Sequence, residues 1–152
     1  MPELRSEFLF ELRIELEGSH IVGRTPMGLR RMDYFTGGHV KGPRVNGVIL
    51  PGGSDVLTGR ADGAMLPDVR LTVETDDGAL IYVNYRGIRC GPEDVMARIA
   101  AGEEVPPDSY YLRNAPFYET ADERYAWLNE ILSVGVGRRL PGAAVYDVFQ
   151  IL

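Results

Sequence analysis

Between Phe8 and Leu16 the chain reads FLFELRIEL, with Phe8, Phe10, Leu12, Ile14 and Leu16 on one face and Leu9, Glu11, Arg13 and Glu15 on the other. Period-two alternation predicts a strand with one buried face. A turn is expected around Glu17–His20 and a loop over Thr25-Pro26 to Gly28, followed by a short strand around Arg30–Phe35. Gly-Gly, Gly-Pro and Pro-Gly-Gly then punctuate two more short strands, His39–Lys41 and Arg44–Leu50. The clearest hairpin joins Arg70–Thr75 to Ala79–Gly87 across Asp76-Asp77-Gly78. Leu71, Val73 and Thr75 share one face of its first strand, and Ile81, Val83 and Tyr85 share one face of the second.

One helix is well signalled, over 92–101. Pro92 occupies a first helical position, Glu93 and Asp94 fill the first turn, and Val95, Met96, Ile99 and Ala100 form a stripe that Gly102 ends. Thr120 to Glu123 has the capping-box spacing, so a helical turn is expected near 121–129. Tyr110–Thr120 reads as extended, Ile131–Arg138 as a strand, and Ala144–Ile151 as a closing strand after Pro141-Gly142. About eight to ten strands at regular spacing define a mainly β chain. A single antiparallel β-barrel is preferred over a sandwich, because strong strands at both ends can pair and remove exposed edges. Residues 1–152 form one domain, with no repeat and no linker.

Composition narrows this picture. Fourteen of the 18 glycines fall between Gly18 and Gly91, too dense for helix interiors. The net charge of −6 argues against nucleic acid and against an anionic membrane surface as partners. No run of about 18 apolar residues spans a bilayer, and the N-terminus lacks the apolar core of a signal peptide. A cytoplasmic location is expected. Cys90 is the only cysteine, which rules out an internal disulfide or a multi-cysteine zinc site. Fifteen of the sixteen basic residues are Arg, a side chain suited to carboxylate or enolate recognition; Lys41 is the exception.

The strings TPMGLRR (25–31), TGGHVKGPRVNGVILPGGSD (36–55), LTVETDDGALIYVNYRGIR (71–89), YYLRNAPFYET (110–120) and RYAWLNEILSVGVGR (124–138) occur in order along the chain. Together they resemble the bacterial family known as domain of unknown function 3237. Val56 stands where the family motif has Trp. The resemblance implies a small single-domain β-barrel, similar in general shape to lipocalin or allene-oxide-cyclase barrels. It carries no assigned activity.

Familiar cofactor and catalytic motifs are absent: there is no nucleophile elbow, no HExxH and no phosphate-binding P-loop. No cofactor and no metal are expected, and His20 and His39 have no ligand-like spacing. The catalytic candidates are Asp55, Glu74, Tyr82 and Arg86. Asp55, following Pro51-Gly52-Gly53, is either a general base at a barrel mouth or an Asx-turn cap. Glu74 and Arg70 share one face of their strand, and Tyr82 and Arg86 share one face of the next. Each pair either lines the lumen or is solvated, depending on which face turns inward. Arg113, Tyr125, Trp127 and Asn129, with Tyr118 and Glu119 nearby, are candidates for an aromatic-lined ligand pocket or for plain core packing.

The expected function is binding of a small organic molecule. The leading reading is a cofactor-independent isomerase, cyclase or lyase that pairs a carboxylate acid/base with Arg and Tyr anion stabilisation. A non-catalytic binding barrel for an apolar or aromatic molecule is the alternative, and an interaction module ranks third. A homo-oligomer is compatible with the sequence.

Overall fold

The computed structural model describes residues 2–152. Strands β1 (Ser6–Thr25) and β2 (Gly28–Lys41) are longer than the sequence pattern suggests. The chain does not turn at Glu17–His20. Strand β1 runs on through that polar stretch, and the reversal comes at Pro26-Met27. Irregularities in the β1–β2 register around Leu16–Gly18 and Ile21–Gly23 keep the pairing going past residues that break the alternation. Strand β2 likewise absorbs both of its expected short strands. Gly37-Gly38 bends it without ending it, with Gly38 at φ +142°.

The remaining strands are β3 (Asn46–Ile49), β4 (Ser54–Gly59), β5 (Met65–Leu66), β6 (Asp68–Thr75), β7 (Leu80–Cys90), β8 (Tyr111–Asn114), β9 (Phe117–Glu119), β10 (Ser133–Leu140) and β11 (Ala143–Ile151). All eleven belong to one antiparallel sheet that closes on itself. Strands β3 and β4 lie end to end between β2 and β6. Strands β8 and β9 lie end to end along β7, broken at Ala115-Pro116. The wall is therefore a ring of about eight staves, a size whose interior is filled by side chains or holds one small ligand. The two ends of the chain pair as expected, with Ser6 opposite Ile151.

The expected helix is α1 (Glu93–Ala100), which buries Ile99. The expected turn near 121–129 is a 3-10 segment, Glu123–Glu130, capped by the Asp122 side chain accepting from the Arg124 N–H. It buries Tyr125 and Leu128 against one end of the barrel. Beneath it the lumen is packed with Phe10, Val40, Val73, Ile81, Val83 and Tyr118. The opposite end is different in kind, because charged side chains point inward there.

Candidate functional site

On the described residues of β2, the inward face runs Arg31, Asp33, Phe35, while Met32 and Tyr34 point outward. The β2–β4 register sets Asp33 directly opposite Asp55. Asp33 is only 4% exposed. Ser19 Oγ–H donates to its Oδ1 at 2.5 Å and Arg31 Nη2–H to its Oδ2 at 3.1 Å. Asp55 Oδ1 accepts the Asp68 N–H at 2.9 Å, which leaves Oδ2 for a ligand. Burial pushes the Asp55 carboxyl up to about 6, and the neighbouring Asp33 charge adds to that. The Asp68 N–H, Arg31 and Arg139 pull the other way.

Two further guanidiniums enter the same cavity, Arg89 from β7 and Arg139 from β10. Burial lowers Arg89 to about 10, and repulsion by Arg139 and Arg31 contributes. The backbone N–H of Arg139 donates to the Tyr110 phenol oxygen at 2.7 Å, which fixes where its side chain starts. Tyr85 and Tyr146 meet edge to face, with ring centroids 5.5 Å apart, on the cavity wall. Burial raises Tyr85 well above its usual value and Tyr146 to about 12, so both phenols stay neutral and can donate hydrogen bonds. The free cavity among these groups is about 20 Å³, room for one water. Half-buried Leu16, Met65, Arg31 and Arg139 are among its walls.

Of the residues singled out from sequence, the structure brings Asp55 alone to this cavity. Arg70, Glu74, Tyr82 and Arg86 lie on the outside of the barrel. The apolar faces of β6 and β7 turn inward, with Val69, Leu71 and Val73 facing Ile81, Val83 and Tyr85, and that sends the polar faces to solvent. Arg70 and Tyr82 share the wall of a shallow outer groove beside Pro51–Gly53. Arg113 also lies outside, 4.8 Å from the Tyr111 ring, and donates to the Leu112 carbonyl.

Tyr125, Trp127 and Asn129 belong to the 3-10 cap rather than to a pocket. The Tyr125 O–H donates to the Asp77 carboxylate at 2.9 Å. Trp127 packs under the Arg44 guanidinium, 3.5 Å from its ring centre. Asn129 bonds both backbone groups of Thr120. The histidines have local partners: the His20 ring lies tilted against Tyr34, centroids 5.2 Å apart, and His39 Nε2 lies 3.0 Å from Glu11 Oε1.

The residues missed from sequence are Arg31, Asp33, Arg89, Arg139, Tyr85 and Tyr146. Arg89 had a signal, since it continues the inward face of Ile81, Val83 and Tyr85 at the same period of two. Arg139 had none. Strand β10 points Ser133, Gly135 and Gly137 inward and its valines outward, the reverse of the usual pattern.

The protein is a closed antiparallel barrel with one apolar, capped end and one charged, cavity-bearing end, in which strands rather than loops supply the cavity's charged groups. The chain belongs to the family described as "Protein of unknown function (DUF3237)", which matches residues 4–151. It is 34% identical to the UPF0311 protein RPA1785 of Rhodopseudomonas palustris, over 99% of each chain. The crystal structure of RPA1785 superposes with a TM-score of 0.97 over 100% of both chains. The chain is also 26% identical to the hydroalkoxylation enzyme phnH of Penicillium herquei, covering 95% of this chain and 82% of that one. The crystal structure of an enzyme from Penicillium herquei shares the fold, with a TM-score of 0.73 at 24% identity. Among the described residues, no helix is long and apolar enough to cross a membrane.

Proposed function

We propose that the charged end of the lumen is the site of a cofactor-independent proton-transfer reaction on a small organic molecule, of the isomerase, cyclase or lyase type. The observation that carries this reading is the setting of Asp55, a half-buried carboxyl facing the cavity, with one oxygen held by a backbone N–H and the other left for a ligand. A carboxyl whose proton affinity lies near neutral pH can both take and return a proton. The three guanidiniums and the two neutral phenols stabilise the oxyanion that forms when a proton leaves carbon or oxygen next to a carbonyl. The phnH relative supports the same chemistry. In a hydroalkoxylation an O–H adds across a carbon–carbon double bond, so one proton leaves oxygen and one arrives at carbon. Asp55 would relay that proton while the guanidiniums hold the intermediate charge. A substrate larger than water displaces the half-buried side chains at the mouth.

The test is solvent exchange. A panel of small enolisable ketones, keto acids and unsaturated alcohols is incubated with the protein in D2O and followed by NMR. Deuterium enters a carbon position of at least one member with the wild type, and Asp55→Asn slows this by about 10²-fold or more. Exchange that survives Asp55→Asn unchanged, or no exchange across the panel, removes the proposal.

A further inference from the structure

The charges at this end of the lumen do not balance. Three guanidiniums, Arg31, Arg89 and Arg139, share the cavity with two carboxyls, Asp33 and Asp55. Asp33 is already taken by Arg31 and Ser19. Among the described residues neither Arg89 nor Arg139 has a carboxylate within ion-pair distance. The Nε atoms of both are buried and have no acceptor in the protein. Arg89 is 8% exposed as a whole residue.

A buried cation without a counter-ion costs several kcal/mol, and folds keep one only where something else supplies the charge. The geometry points to a carboxylate-bearing small molecule as the ligand of this site, its planar anion held between the forks of Arg89 and Arg139. A guanidinium presents two parallel N–H groups that match a carboxylate edge, which selects a planar oxyanion over a neutral amide of the same shape.

This inference deepens the acid/base reading by naming its substrate class, but it rests on different residues. Asp55 would then act on an atom next to a bound acid group. Arg89 and Arg139 would hold negative charge that the ligand brings with it, as well as charge that forms during reaction. Tyr85 and Tyr146, both neutral, would lie beside the anion as further donors.

Isothermal titration at pH 7 and low salt with sodium benzoate and with benzamide provides the test. Benzoate binds and benzamide does not, by at least tenfold. Arg89→Gln and Arg139→Gln each weaken benzoate at least tenfold, while Arg86→Gln, on the outer face, changes nothing. Without ligand, Arg89→Gln melts at or above the wild-type temperature, because it removes an uncompensated charge; a purely structural Arg89 would instead lower it. Asp55→Asn binds benzoate as well as wild type or better.

Equal binding of benzoate and benzamide, no binding of either, or equal loss in Arg86→Gln overturns the anion site. Should Arg89→Gln fail to fold, Arg139→Gln carries the same comparison. If benzoate binds and depends on both arginines while Asp55→Asn leaves solvent exchange intact, the acid/base reading alone has failed.

Discussion

Asp33 and Asp55 face each other across the β2–β4 ladder, with both carboxyls turned into the lumen. Like charges in direct register destabilise a sheet, so the pair persists only because their surroundings treat them differently. Arg31 neutralises Asp33, while Asp55 takes part of its proton back.

That asymmetry makes stability depend on pH. An unfolded Asp releases its proton near 3.9, whereas folded Asp55 holds it up to about 6. Between those values the folded state binds more protons than the unfolded one. Stability from this group is therefore full below about pH 4 and is lost as pH rises through 6, by about 3 kcal/mol at most. Asp55→Asn stays neutral throughout. Chemical denaturation at pH 4 and pH 8 checks this: the variant matches wild type at pH 4 and exceeds it at pH 8.

Removing the charge of Asp33 acts on Asp55 from a distance. Asp33→Asn takes away a repelling neighbour and frees Arg31, and both effects favour ionised Asp55. The Asp55 midpoint, followed by carboxyl-carbon NMR, falls below its wild-type value near 6. The variant also loses charge-assisted bonds to Arg31 and Ser19, at a cost of roughly 1.5–3 kcal/mol in a urea melt.

Gly135 is constrained by packing. A Cβ there would run into the Asn114 side-chain oxygen from the paired strand, and Asn114 is itself buried. Gly135→Ala costs roughly 1–3 kcal/mol. Combining it with Asn114→Ala opens the space again, so the double variant is more stable than the sum of the two single losses. A double-mutant cycle by denaturant unfolding measures the difference.

The outer-face residues give the contrast. Glu74→Gln and Arg86→Gln, on exposed positions of β6 and β7, change stability by no more than about 0.5 kcal/mol in the same melts. They also leave benzoate affinity untouched.

The fold was legible wherever apolar residues face the core. The β6–β7 hairpin, α1 and the pairing of the chain ends follow from alternation and turn residues. The site was legible only at Asp55, and the reason is physical. Polar alternation normally marks a solvated face, and on β6 and β7 it does so, carrying Arg70, Glu74, Tyr82 and Arg86 outward. On β2 and β10 the same alternation is inverted, with Met32, Tyr34, Val134 and Val136 on the outside and Arg31, Asp33 and Arg139 inside. Which face of a charged strand turns inward is decided by ring closure with strands distant in sequence, and a single strand does not carry that information.

Each charged group of the cavity stands on a strand of the closed wall, at a position set by its neighbours' register. A slip of one residue between β2 and β4 would turn Arg31 and Asp33 out to solvent. The proposed proton transfer therefore has no separate melting point of its own. Activity and ligand binding should persist on heating until the barrel opens, and then disappear together with its tertiary signal in one transition.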